Sequence, residues 1–584
     1  MRDSIKRGFP CTLLAVALVA LIAHAQQPAP ERATGWTDKA PVTSRRFMVA
    51  AANPLAVEAG YRILKQGGSA VDTAVAVQLV LNLVEPQSSG IGGGAFMLFH
   101  DGQRNRLVVY DGRETAPAAA RPDRFLDADG KPMRYFEAVV GGRSVGVPGV
   151  VALLAEAHRR HGRLPWAALF APAIALAENG FAISPRLAKL IAAESHFVQA
   201  RASAYFLEPD GGPRAAGTIL RNPDFARTLR AIADGGASAF YRGEIARDIV
   251  DTADSFAPNP GDLTLTDLAG YRVRLREPVC GVYRGFKVCG MPLPSSGGMT
   301  VLQMLGMLEP YDLASMGPAS FWSVHFFSEA GRLAHADRSV YMADPDFVPP
   351  PAGLLDRGYL RERSRLIRTD GSLGVALPGN PPAPVQARKA AWGKDAALER
   401  PSTSHISIVD RDGNAVAMTT TIEDAFGSRL MTAGGFLLNN QLTDFSFLPF
   451  ENGAPVANRV EPGKRPRSSM APTIVYDLGG RVAIVVGSAG GPPIINYVAK
   501  TIVGIIDWGL DPQAAIALPN FGSRNGPTDL ERGTTIVALS PKLRALGSEI
   551  SLGDFNSGTQ AIVRTRDGWI GGADPRREGT AMGD

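Results

Sequence analysis

Ser402-Thr403-Ser404-His405-Ile406-Ser407-Ile408-Val409-Asp410 is a hydroxyl-rich lead into an alternating strand. Together with the turn Arg411-Asp412-Gly413-Asn414 and the second run Ala415–Thr421, it predicts a β-hairpin. Taken alone the stretch is structural. It gains chemistry if the chain is cut before Thr403. The new α-amine, with a pKa of about 8, would lie within reach of the hydroxyl of the same residue and could act as its general base. The same hydroxyl can make the cut, by attacking the Ser402 carbonyl through an ester intermediate. Ser402–Thr403 is therefore the candidate cleavage site, and Thr403 the candidate nucleophile.

Upstream of this hairpin the pattern is mainly helical. Arg46–Ala50 reads as a short strand. Asn53-Pro54 caps a helix that Gly67-Gly68 stops, and a second helix runs through Val84. Gly90-Ile91-Gly92-Gly93-Gly94 turns into a strand, Ala95–His100. Residues 149–250 read as helices, and residues 318–342 as one long helix. Downstream, strands are predicted at Phe436–Asn439, Thr473–Tyr476 and Val482–Val486, followed by a buried helix, Ile494–Ile506. Helices first, strands later and a helix after them fit a layered α/β body closed by the last third of the chain.

A chain of 584 residues that is 45% hydrophobic and 20% charged has the composition of a globular protein with a large core, which excludes a disordered or fibrous one. Arg2, Lys6 and Arg7 precede an apolar run, Cys11–Ile22, and Ala23-His24-Ala25 supplies small residues for a peptidase. Residues 1–25 thus read as a signal peptide, and an uncleaved anchor is the alternative. Export is expected, to the periplasm if the cell has two membranes, with no membrane span in the mature chain. Residues 26–45, rich in Pro, Ala and Thr, read as a loose leader. Removing Arg2, Lys6, Arg7 and Asp3 lowers the formal charge from +5 to +3. This mild excess, with no basic run interleaved with aromatics, argues against a nucleic-acid partner.

Cys280 and Cys289 flank a predicted hairpin turning at Arg284-Gly285, a register that sets them opposite each other. A disulfide and two buried thiols are both open readings. Two cysteines this close in sequence are poor evidence for a metal. Gly142-Arg143-Ser144-Val145-Gly146 matches a nucleophile elbow in letters, but Val147-Pro148-Gly149 separates it from the helix that such an elbow needs. His158 and His161 read as an exposed basic helix end, and the glycines at 90–94 precede a strand where a dinucleotide fingerprint would require a helix.

Thr403-Ser404-His405 with Asp412-Gly413-Asn414-Ala415-Val416-Ala417 resembles the start of the small subunit in γ-glutamyltransferases. So do Asp111–Pro117, Pro294–Gly298, Leu438–Gln441 with Asp444-Phe445-Ser446, Lys464–Met470, Gly487–Gly491 and Asp574-Pro575-Arg576, all in the family's order from about Phe47 to Arg576. The resemblance implies an N-terminal-nucleophile αββα sandwich, with a large subunit 46–402 and a small subunit 403–584 formed from one precursor and joined as a heterodimer. It implies transfer of γ-glutamyl groups from glutathione and γ-glutamyl amides to water or to amino acid and peptide acceptors, with neither metal nor organic cofactor. Thr403 would be the nucleophile and Thr421 the second threonine whose hydroxyl bonds it. Gly490 and Gly491 would donate to the oxyanion. Arg113, Ser468 and Ser469 would hold the substrate α-carboxylate, and Gln441 and Asp444 its α-ammonium.

Two features depart from the family pattern. Glu423 stands where asparagine is usual, at a position that contacts the glutamyl group. The segment Phe447–Pro462 is short and contains no tyrosine. Both bear on specificity. The rival readings are an acylase of the same fold for a glutaryl-type amide, and an inactive binding protein that never cleaves.

Overall fold

Alternation along Ser404–Val409 and Ala415–Thr421 sets the layering. Successive strand residues point to opposite faces. Ile406, Ile408, Val416 and Met418 therefore enter a core shared with the helices Pro54–Lys65, Ala70–Val84 and Val150–His161. Val409, Ala415 and Ala417 enter the opposite core, shared with Ile474, Val485 and Ile562 of a second sheet. The computed structural model describes residues 35–382, 392–400 and 402–584. The predicted signal peptide lies outside the described residues.

The first sheet has seven strands in the order Thr580–Gly583, Met48–Ala51, Ser404–Val409, Ala415–Thr421, Gly94–Asp101, Arg106–Gly112, Arg274–Arg276. The second also has seven: Val42–Ser44, Trp569–Ala573, Gln560–Arg564, Val482–Gly487, Thr473–Tyr476, Phe286–Gly290, Val279–Tyr283. Helices Gly297–Leu308, Phe321–Tyr341 and Ile494–Ile506 pack into the core on the second sheet's side. The result is an αββα sandwich. In the first sheet, strands from both sides of Ser402–Thr403 lie next to one another, so either part alone would leave strand edges unpaired.

Local signals account for the helix ends. Asn53 accepts from the Leu55 N–H at 3.0 Å, with Pro54 at the first helical position. Ser69 and Asp72 form a capping box on Ala70–Val84, whose residues are all buried. The hairpin Ser404–Val409/Ala415–Thr421 pairs Ser404 with Thr420 and Val409 with Ala415. In the hairpin Val279–Tyr283/Phe286–Gly290, Cys280 is opposite Cys289, and their sulfurs form a disulfide. Among the described residues no helix is long and apolar enough to cross a membrane.

Two expectations need correction. The part of the 26–45 leader that is described is not loose. Val42–Ser44 pairs with Trp569–Gly571 at the edge of the second sheet, and the Lys39 ammonium donates to the carbonyls of Asp574 and Arg577 at 2.7 and 2.6 Å. Its partners come from the far end of the chain, so no local signal announces them. Phe436–Asn439 is not a strand either. Leu438 bonds back to Leu430 within a tight loop, and the Asn439 side chain binds the carbonyls of Gly92 and Gly146. Apolar alternation here fills a loop that is folded over the glycine-rich turn.

Candidate active site

Thr403 opens a central strand. The pairing of Ser404 with Thr420 continues by one step to set Thr403 beside Thr421. The Thr421 hydroxyl donates to the Ser402 carbonyl oxygen at 2.9 Å and accepts from the Glu423 N–H at 2.9 Å. The carbonyl on which a Thr403 attack would fall is thus already hydrogen-bonded. Ser402 is anchored in turn by its own hydroxyl, which donates to the Gln87 carbonyl at 2.6 Å. Gly93 packs so closely beneath that a Cβ there would lie 2.1 Å from the Thr421 carbonyl oxygen.

One cleft is lined by Arg113, Thr403, Thr421, Glu423, Gln441, Asp444, Ser468, Ser469 and Gly491. Gly490 lies directly before this lining, and both glycines have positive φ, 114° and 65°. A Cβ at Gly490 would meet the Tyr497 ring at 2.9 Å, so space and backbone both demand glycine. The helix Ile494–Ile506 begins immediately after and directs its positive end toward this turn. Arg113 follows the strand Arg106–Gly112, and its guanidinium donates to the carbonyls of Pro466 and Arg467 and to the Asp444 carboxyl. Gln441 and Asp444 bracket one short 3-10 turn, where the Gln441 amide donates to Asp444 at 2.7 Å. Burial pushes Asp444 up to about 6 against the pull of Arg113, and the Glu399 charge adds to the rise.

Glu423 is buried and adopts a φ of 78°, uncommon for a residue with a side chain. Its carboxyl receives the Tyr135 hydroxyl at 3.0 Å, the Arg400 backbone N–H at 3.1 Å and the Asn440 amide. These donors favour the ionised form, but burial outweighs them, and the nearby charges of Asp444 and Asp424 push the group further up. A raised carboxyl pKa costs stability as pH climbs above the ordinary carboxylate range, because the unfolded chain ionises there and the folded chain resists. Glu423→Gln in an uncut Thr403→Ala background is therefore expected to melt higher than its parent at pH 8. That advantage should shrink at pH 5, and an advantage independent of pH would contradict the assignment.

Residues that sequence reasoning passed over fill the rest of the cleft. Glu399 accepts from the Ser469 hydroxyl and from the Arg338 guanidinium, and lies 3.2 Å from Arg467. Arg338 and Arg467 hold its carboxyl down at about 2 despite complete burial. Stability contributed by this cluster is present above the usual carboxylate pKa of 4.5 and is lost as pH falls toward 2. In the uncut Thr403→Ala chain, Glu399→Gln should lower the denaturant midpoint at pH 7, and the difference should close in acid titration below about pH 4. Arg467 lies inside the quoted run Lys464–Met470, where its side chain drew no role. Arg338, on the helix Phe321–Tyr341, carries no local signal at all.

Other candidates resolve into structure. The Ser144 hydroxyl is buried and donates to the Val139 carbonyl at 2.7 Å, as a loop anchor. His405 is buried between Thr419 and Ser407 at 2.8 and 3.0 Å, and burial drives its pKa down to about 3. It is a neutral inter-sheet spacer, and Gly487 opposite lacks a side chain because a Cβ would lie 2.2 Å from the His405 ring.

The αββα layering, with a threonine opening a central strand, is that of the N-terminal-nucleophile hydrolases. The profile of γ-glutamyltranspeptidases matches residues 56–584, and the chain belongs to that family. It is 37% identical over 597 residues to the glutathione hydrolase proenzyme of Bacillus subtilis (strain 168), covering 99% of each protein. To the glutathione hydrolase proenzyme of Escherichia coli (strain K12) it is 37% identical over 591 residues, covering 97% of this chain and 98% of that protein. Among solved structures it is similar to the cephalosporin acylase from Bacillus halodurans, with a TM-score of 0.81 at 29% identity over 94% of this chain and 97% of that one.

Proposed function

We propose that this chain is a proenzyme that cuts itself between Ser402 and Thr403 and then acts as a γ-glutamyltransferase and glutathione hydrolase. The observation that carries the reading is the Thr421 hydroxyl bonded to the Ser402 carbonyl, beside Thr403, in a cleft lined by Arg113, Ser468, Ser469, Gln441 and Asp444. In the cut, Thr403 Oγ bonds to the Ser402 carbonyl carbon and the Ser402–Thr403 C–N bond breaks. The hydroxyl proton passes to the leaving nitrogen. Water then hydrolyses the ester, leaving a carboxylate on Ser402 and a free amine on Thr403. Fragments 26–402 and 403–584 would stay together because their strands pair within one sheet.

In turnover the Thr403 amine takes the hydroxyl proton, Oγ attacks the γ-amide carbon, and Gly490 and Gly491 N–H groups stabilise the oxyanion. The proton goes on to the departing amine. Water or the amine of an amino acid or peptide then attacks the γ-glutamyl ester and regenerates Thr403. Arg113, Ser468 and Ser469 receive the α-carboxylate. Gln441, Asp444 and Glu423 receive the α-ammonium, whose charge would draw Glu423 into its ionised form. Export through residues 1–25, to the periplasm of a cell with two membranes, belongs to the same proposal.

The likeness to a cephalosporin acylase favours one second reading: an acylase for diacid amides that lack the α-ammonium. Processed protein assayed on γ-glutamyl- and glutaryl-4-nitroanilide separates the two. The γ-glutamyl substrate should win by at least about tenfold in kcat/KM, the scale of one charge-assisted contact. Turnover of the glutaryl compound alone would transfer the chain to the acylase reading.

A further inference from the structure

Glu399 forms the wall between two clefts. On one side is the site just described. On the other is a larger cleft, lined by Arg338, Arg467, Asp395, Glu399 and Pro492, which follows directly on the Gly490–Gly491 turn. Arg113, Ser468 and Ser469 line only the first cleft, whereas Arg338 and Arg467 line only the second. The two arginines are buried and share the Glu399 carboxylate, and Arg467 also pairs with Asp395 at 2.8 Å. Arg338 further donates to Ser469 at 2.8 Å and to Ser296 at 2.7 Å, which fixes its fork.

Both carboxylates ride on the strip that leads to the Ser402–Thr403 bond. A cut at that bond gives the strip a free end, and its withdrawal would take Asp395 and Glu399 away together. Arg338 and Arg467 would then face the joined clefts with no carboxylate opposite, a costly state for buried charges. An anion of the same geometry would restore the balance. Because the arginines face the cleft beside the oxyanion glycines and lie apart from Arg113, that anion belongs to the leaving-group and acceptor side of the reaction.

We propose that Arg338 and Arg467 form a carboxylate subsite that Glu399 fills in the uncut chain and that receives a carboxylate of the leaving group or acceptor in the processed enzyme. The inference rests on the self-cleaving γ-glutamyl reading. It adds a determinant of specificity: substrates whose amine portion carries a carboxylate bind on both sides of the scissile amide.

The test uses the processed full-length enzyme and two chromogenic amides, γ-glutamyl-3-carboxy-4-nitroanilide and γ-glutamyl-4-nitroanilide. Wild type should prefer the carboxylated leaving group by about tenfold in kcat/KM, as for one charge-assisted contact. The preference should weaken as salt rises. It should fall to about one in Arg467→Met and Arg338→Met and be partly restored in Arg467→Lys. Because a ratio is read, a general loss of activity cancels. A variant that stays uncut is replaced by the salt dependence of the wild-type ratio, where no dependence counts against the subsite. Equal turnover of the two amides by wild type, or a preference that survives both methionine variants, would overturn the proposal. A third substrate, 4-aminobutyryl-4-nitroanilide, lacks the donor α-carboxylate. If the variants erase discrimination against this compound while the leaving-group preference persists, the arginines serve the donor and the assignment falls. Failure of the underlying reading looks different: neither γ-glutamyl amide turns over. The same leaving-group pair built on a glutaryl donor then reads the subsite.

Discussion

Thr403→Ala is expected to purify as a single uncut chain and to lose at least about 10⁴-fold in γ-glutamyl turnover, as for removal of a nucleophile in hydrolases that use one. In the proposed mechanism one residue would supply the attacking oxygen for the cut and for every later turnover, and the cut itself would expose the amine that serves as base. Thr403→Ser keeps the hydroxyl and should still cut. Denaturing electrophoresis with intact mass reads both variants, and wild type should give a small fragment beginning at Thr403. Wild type that stays uncut would remove the free-amine mechanism and return the chain to the binding-protein alternative. The mutant should fold, since Thr403 is a strand opener whose carbonyl, which accepts from Arg577 at 3.2 Å, is unchanged by the substitution.

Thr421→Val is expected to slow self-cleavage by about 10²–10³-fold, the cost of losing one oxyanion donor. Its hydroxyl bonds the Ser402 carbonyl oxygen, which would gain negative charge in the proposed attack by Thr403. The same hydroxyl accepts from the Glu423 N–H, so valine also orphans a buried donor, at about 1–3 kcal/mol. Thr421→Ser separates these effects by restoring both bonds without the methyl group. The fraction cut against time after denaturant-refolding is the measurement. Equal rates for valine and threonine would show that the bond seen in the uncut chain does not act in the transition state.

Legibility followed locality. The cap at Asn53, the hairpin around Asp412-Gly413 and the helix Ile494–Ile506 all rest on neighbours in sequence, and each could be read from a few residues. Phe436–Asn439 misled because period-two alternation reports burial on one side and does not report whether a partner strand exists. Val42–Ser44 was missed for the opposite reason, since its partner Trp569–Gly571 is more than five hundred residues away along the chain.

Chemistry divided in the same way. The amino-acid sequence by itself determined that Thr403 stands at the head of a strand with Ser402 before it. Its motifs, through the family resemblance they carry, also pointed to Arg113, Gln441, Asp444, Ser468 and Ser469 as the side chains that would hold an amino acid's two charges, because a motif is a property of residue type and order. Only the tertiary structure decided that they line one cleft, that Thr421 bonds the Ser402 carbonyl, and that Glu423 is buried among carboxylates which push its own pKa up. It alone brought Arg338 and Arg467 around Glu399. The physical reason is that charge and hydrogen-bonding capacity are carried by each residue, whereas burial and pairing arise when distant segments are packed into the same low-dielectric space.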